Sequence, residues 1–142
     1  MLRITGIHAS RSFELSPVLL VGVDLVRIAD VAESLRRHRD HYTSRMFTAN
    51  EIAYCQRDAG MAPQRFAARF AAKEATIKVL RPCVTDTFLW TSIEVERAPE
   101  GWCSIMLHGA TADIAREAGI LKFALSMSHE DDYATATVVA WG

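Results

Sequence analysis

Arg69-Phe-Ala-Ala-Lys73-Glu74-Ala-Thr-Ile-Lys78 is the stretch on which the reading of this chain turns. It lies in a run that Pro63 opens and Pro82 closes, since proline is tolerated at a first helical position but cannot continue a helix. Phe66, Phe70, Ile77 and Leu80 mark the apolar side of the helix so defined. Glu74 and Lys78 are four residues apart and project from one face. Arg65, Arg69 and Lys73 form a second ladder at the same spacing. Read alone, this is a solvated helix face, on which a Glu-to-Lys pair contributes about 0.3–0.5 kcal/mol.

Working upstream, Thr48-Ala-Asn-Glu51 has the form of a capping box, in which hydroxyl and carboxylate satisfy exposed amides reciprocally. It predicts a short helix to about Asp58, broken at Gly60. Further back, Val18 to Val26 is an apolar, valine-rich run that reads as a buried strand. Ile28, Val31 and Leu35 then recur at helical spacing. Gly22 and Asp24 interrupt the strand. A lone carboxylate there is costly to bury unless paired or metal-bound; the plainer alternative is that the strand ends and Asp24 caps the next helix. Residues 1–17 have weak periodicity and read as an N-terminal extension, leaving 18–142 as a single domain.

Downstream, Trp90 to Arg97 alternates Ile93 and Val95 with Glu94 and Glu96, and Pro99-Glu-Gly101 forms a turn into a second strand, Trp102 to His108. Thr111 to Ala118 reads as a helix closed by Gly119. Leu121, Phe123, Leu125 and Met127 alternate as a strand with one buried face, and Glu130-Asp-Asp132 turns the chain into a last strand, Tyr133 to Ala140. The fold class expected is α+β, a mainly antiparallel sheet packed against a long central helix.

Composition narrows the function. The chain has 142 residues and is 50% hydrophobic, enough for one domain with a real core. A formal charge of -1 gives no support for a general nucleic-acid binder. Positive charge does cluster at Arg36, Arg37 and Arg39, with His38, His41 and Arg45 beside them. Three cysteines without a CxxC pair argue against a zinc ribbon or redox motif. With no persuasive signal peptide and no apolar run of about 20 residues, the expected location is the cytoplasm, with reduced thiols and no membrane partner.

Four blocks carry more together than singly: Gly22-Val-Asp24-Leu-Val, Arg45-Met-Phe-Thr48-Ala-Asn-Glu51, Arg69 through Lys78, and Ser126-Met-Ser128-His129. In this order, with these gaps and with Ser92-Ile-Glu-Val95 between, they resemble the holo-acyl-carrier-protein synthase family of phosphopantetheinyl transferases over about Val18 to Ala140. The resemblance implies a magnesium-dependent enzyme. It would move 4′-phosphopantetheine from coenzyme A to a serine of an acyl carrier protein, in fatty acid, polyketide or related lipid biosynthesis. It implies Asp24 and Glu74 as magnesium ligands and as catalytic residues together with Lys78, the lysine near the diphosphate of coenzyme A. It implies His129 at the coenzyme A site, with Arg69 and Lys73 as further candidates to meet phosphates. It also implies a homotrimer with active sites between subunits.

The implied chemistry is coherent. Magnesium prefers hard oxygen ligands and keeps several waters, so two carboxylates plus diphosphate oxygens suit it. For the proton of the attacking serine, Glu74 is the first candidate, with a water held by the metal and another base left open. Carrier proteins are typically acidic around the modified serine, so a basic surface would steer them. Arg45 and Arg27 are the candidates for that contact, ahead of Arg36, Arg37 and Arg39, whose alternative is a solubilising helix face.

Three departures from the family's pattern stand out. A glycine-rich segment commonly follows the central helix, where this chain has Lys78-Val-Leu-Arg-Pro82-Cys-Val-Thr-Asp86; Arg81 is the candidate to compensate. Asp30 or a neighbour stands where an arginine is usual, and Gly101 is followed by Trp102 in place of proline. These changes suggest a specialised branch with its own carrier. The alternative function is a catalytically inactive scaffold that binds coenzyme A or a carrier.

Overall fold

The computed structural model describes residues 17–82 and 89–142. The expected extension falls outside the described residues except for Pro17, as does the atypical segment from Cys83 onward. The order of elements is β1 (Leu19–Arg27), α1 (Ile28–Met46), α2 (Ala49–Cys55), α3 (Ala62–Leu80), a short 3-10 turn (Trp90–Ser92), β2 (Ile93–Arg97), β3 (Cys103–Leu107), α4 (Gly109–Glu117), β4 (Lys122–His129) and β5 (Tyr133–Trp141). All strand pairing is antiparallel, in a three-stranded sheet ordered β1-β5-β4 and a separate β2-β3 hairpin. The α+β class holds, with the antiparallel content divided between two sheets.

The three-stranded sheet lies on α3. Ala134, Ala136, Val138 and Ala140, every second residue of β5, are buried on its inner face. They meet the small residues of α3, among them Ala67, Ala71 and Ala75, which are also fully buried. Small side chains on both surfaces let helix and sheet approach closely. Larger groups fill the other side of α3, where Phe47 and Phe66 are each 1% exposed and their ring centroids lie 4.8 Å apart. Burying such a side chain contributes roughly 1.5–3 kcal/mol.

Local signals explain most boundaries. The capping box is present: Thr48 Oγ1 accepts from Glu51 N, and the Thr48 amide donates to Glu51 Oε2 at 2.8 Å. Pro63 sits in the first turn of α3, and Arg81 ends that helix in the left-handed region at φ 48°. Two features differ from expectation. Arg39 breaks the helical dihedrals inside α1 (φ 40°, ψ -125°), so α1 is two helical segments across a kink. Trp90–Ser92 is a 3-10 turn rather than the start of a strand, because the carbonyls of Trp90 and Ile93 turn toward the buried Lys73 ammonium. Cys55 and Cys103 are free thiols, and burial pushes the Cys55 thiol up to about 11. Among the described residues no helix is long and apolar enough to cross a membrane.

Candidate active site

Gly22 builds the site. A Cβ at this position would lie 2.1 Å from the carbonyl oxygen of Ala75 and 2.9 Å from Val79 Cγ2, so only glycine lets β1 lie directly on α3. Two residues later on the same face of the strand, Asp24 arrives beside the helix. Its side chain is 16% exposed. The strand continues through it to Arg27, which occupies the N-cap of α1 without a side-chain cap. Asp24 is therefore no helix cap.

Across from it stand Glu74 and Lys78, one helical turn apart on α3. Lys78 Nζ donates to Asp24 Oδ1 at 2.9 Å and to the Val23 carbonyl at 2.8 Å. Partial burial, with the Asp24 charge adding to it, raises the Glu74 carboxyl above its ordinary value; Lys78 opposes both. Asp24 and Glu74 line one cavity of about 420 Å³, with Arg27, Asp30, Tyr42 and Phe70 among its other walls. Two carboxylates facing one cavity form a donor set suited to a hard cation. Among the described residues no cluster of three or more His, Cys, Asp or Glu is placed to hold a metal. Asp24 and Glu74 are the two residues that could hold such an ion here.

Arg69 and His129 share a different cavity, of about 320 Å³, with Arg65, Arg97 and Tyr54. The guanidinium carbons of Arg69, Arg65, Arg97 and Arg57 lie 4.2, 5.0, 5.3 and 5.6 Å from the Tyr54 ring centroid. Arg97 also donates to the Tyr54 hydroxyl at 2.9 Å. Arg69 is only 3% exposed, and its Nε has no hydrogen-bond partner. Four cations round one ring make a surface suited to an anion. Spacing along α3 gives the Arg65–Arg69 pair; Tyr54, Arg57 and Arg97 come from elsewhere in the chain and carry no sequence signal toward it.

Lys73 is the correction. Placed with the phosphate-binding candidates by the resemblance, it is completely buried and borders neither cavity. Its ammonium pairs with Glu51 Oε2 at 2.9 Å and donates to the carbonyls of Trp90, at 3.0 Å, and Ile93. Burial lowers its proton affinity, against the pull of Glu51.

Of the carrier-contact candidates, Arg27 is exposed on the rim of the Asp24–Glu74 cavity, and Arg45 is exposed in the last turn of α1 beside His38, His41 and Trp90. Arg36 and Arg37 both turn back to Glu33 on their own helix.

The fold agrees with that of known proteins. A family model, the 4′-phosphopantetheinyl transferase superfamily, matches residues 20–138. A holo-[acyl-carrier-protein] synthase of Koribacter versatilis is 39% identical over 122 residues, covering 86% of this chain and 97% of that one. The apo structure of the ACPS of Chronobacterium ammoniagenes superposes with a TM-score of 0.78 at 34% identity, covering 89% and 98% of the two chains. That enzyme's complex with coenzyme A superposes at 0.77, with 33% identity over 87% and 96%. The chain belongs to the 4′-phosphopantetheinyl transferase superfamily, as an enzyme of the holo-[acyl-carrier-protein] synthase group.

Proposed function

We propose that this enzyme transfers 4′-phosphopantetheine from coenzyme A to a serine of an acyl carrier protein, with magnesium held by Asp24 and Glu74. The observation that carries the reading is the meeting of Asp24 and Glu74 at one cavity, from a strand and a helix 50 residues apart, with Lys78 bonded to Asp24 beside it.

Magnesium, when bound there, would neutralise and orient the diphosphate. The carrier serine oxygen attacks the phosphorus that bears pantetheine, and the bond to the leaving 3′,5′-ADP breaks. Lys78, half exposed, can exchange its bond to Asp24 for one to a phosphate oxygen and stabilise the charge developing there. Glu74 is the first candidate to take the serine proton, with a water held by the metal and another base as the alternatives. Positioning and electrostatics supply most of the rate in such transfers.

Coenzyme A carries phosphates at both ends of its nucleotide, and the chain offers two separate charged cavities. Arg69 and His129 suit the end remote from the reaction. A homotrimer is the arrangement that would bring one subunit's arginine cavity to another's carboxylates. The outer face of β1 supports it. Leu19, Val21, Val23 and Leu25 are 56–69% exposed along one side of the strand, an apolar stripe that a partner subunit would cover. Arg27 and Arg45 remain the candidates for the carrier contact. Asp30, on the cavity rim, favours a carrier other than the ordinary acidic one. Equal rates on the host's fatty-acid carrier and on any other would contradict that specialisation.

One incubation tests the transferase: purified enzyme, apo-carrier, coenzyme A and magnesium, with the carrier read by mass spectrometry. The expected product is a carrier modified on one serine, and only when magnesium is present. Coenzyme A binding without modification of any of several carriers would favour a scaffold instead.

A further inference from the structure

Lys73 and Glu51 form an ion pair in which every donor and nearly every acceptor is used. The three ammonium hydrogens go to Glu51, Trp90 O and Ile93 O. Glu51 Oε1 accepts the Val95 amide at 2.9 Å, while Oε2 accepts the Thr48 amide as well as Lys73. Both side chains are 0% exposed. Such a pair is a poor way to gain stability, because apolar replacements of similar volume are often as stable or more so. What it provides is geometry: it ties one point on α3 to the start of α2, to the 3-10 turn and to β2.

That point is adjacent to Glu74. Successive helical residues lie about 100° apart, so fixing Lys73 on the core side fixes where Glu74 emerges on the other. A second path runs through Trp90, whose carbonyl takes the Lys73 ammonium. Its ring stacks on Phe70, with centroids 5.7 Å apart and planes at 18°, and Phe70 lines the cavity of Asp24 and Glu74. The pair therefore anchors both the carboxylate and a wall of its cavity.

We infer that Lys73 is a positioning residue that acts with Glu51 to set the rotation of α3 and so the aim of Glu74, and that it touches no phosphate of coenzyme A. This rests on the transferase reading given above. Lys73 has no hydrogen left to offer a ligand, and reaching one would leave Glu51 buried with an uncompensated charge.

The test is a set of three variants of the full-length enzyme: Lys73→Met, Glu51→Gln, and the apolar pair Lys73→Met with Glu51→Leu. The readouts are kcat, KM for coenzyme A, magnesium affinity by calorimetry with coenzyme A present, and the melting temperature. Misplacement of a reacting group by about 1 Å costs on the order of 100-fold in rate. Each single variant is expected to lose about 10- to 100-fold in kcat and to bind magnesium several-fold more weakly, with KM for coenzyme A nearly unchanged. The apolar pair is expected to melt near the wild-type temperature and still to show the kcat loss, no larger than that of the worse single variant. Two results overturn the inference. One is a tenfold or greater rise in KM for Lys73→Met with none for Glu51→Gln, which would make Lys73 a phosphate ligand. The other is an apolar pair with full kcat, which would make the pair structural only. Wild-type enzyme that modifies no carrier would instead overturn the transferase reading.

Discussion

Lys78 Nζ lies 2.9 Å from Asp24 Oδ1, closing a gap of 54 residues between a central helix and the first strand. The contact places a half-exposed cation against the carboxylate without burying either fully. In the proposed transfer, Lys78→Met removes a cation that would stabilise the leaving group. The expected loss is roughly 100- to 1,000-fold in kcat, as for other removals of a single charge-stabilising donor, with the melting temperature little changed. Steady-state rates and a thermal melt on the same preparation check this. A variant that keeps more than a tenth of the rate would remove Lys78 from the chemistry.

Glu74 gives a pH signature. In metal-free enzyme its carboxyl titrates above the ordinary 4.5, through partial burial first and the Asp24 charge second. The folded state thus holds this proton more tightly than the unfolded chain. The resulting stabilisation is fully present below the unfolded value and is lost as pH rises through the folded one. Asp24→Asn deletes one of the two causes and should move the titration downward. Carboxyl carbon NMR of both proteins reads it; an unchanged or higher value in the variant would contradict the pairing.

Gly22→Ala should cost more in activity than in stability. The added methyl group has no room against the Ala75 carbonyl, so β1 must move off α3 and carry Asp24 with it. Overpacking of this kind costs roughly 1–3 kcal/mol, visible in a denaturant titration. Transfer should fall by well over the fraction unfolded. Wild-type rates in this variant would mean that the close approach does not set the site.

The exposed stripe on β1 leads to a prediction about assembly. Val21→Asp and Val23→Asp put charges at the middle of an apolar face that the single chain leaves open. Sedimentation should show a trimeric wild type and monomeric variants that retain their far-ultraviolet spectrum. Because the arginine cavity and the carboxylates are expected to meet across subunits, the monomers should be inactive. Wild-type enzyme that is monomeric and fully active would defeat the shared-site arrangement.

Much of this was legible in the sequence where the signal is local. The capping box at Thr48 and Glu51, the proline limits of α3 and the alternation in β4 each depend on neighbours within a few residues. Gly22 and Asp24 drew attention because a glycine and a carboxylate in an apolar strand each demand a reason; the strand expected to be buried has only one face against α3, and its other face is exposed in the single chain. The resemblance named Asp24, Glu74 and Lys78, which the fold does bring side by side, and it placed Lys73 among the phosphate contacts, where the fold buries it instead. Spacing puts Arg69, Lys73 and Lys78 on α3, but it does not say that a lysine in the middle would find a glutamate in the core. The gathering of Arg57 and Arg97 with the Arg65–Arg69 pair round Tyr54 was invisible for a related reason: α2, α3 and β2 meet only in the folded chain. The kink at Arg39 likewise follows from no breaker in the sequence, which has neither proline nor glycine there.

The most direct measurement is calorimetric binding of coenzyme A with and without magnesium, to wild type, Asp24→Asn and Glu74→Gln. If both carboxylates hold one divalent ion against the diphosphate, magnesium should tighten coenzyme A binding to wild type and do little for either variant, and both should fail to transfer. Equal tightening by magnesium in all three proteins would contradict the account at its root.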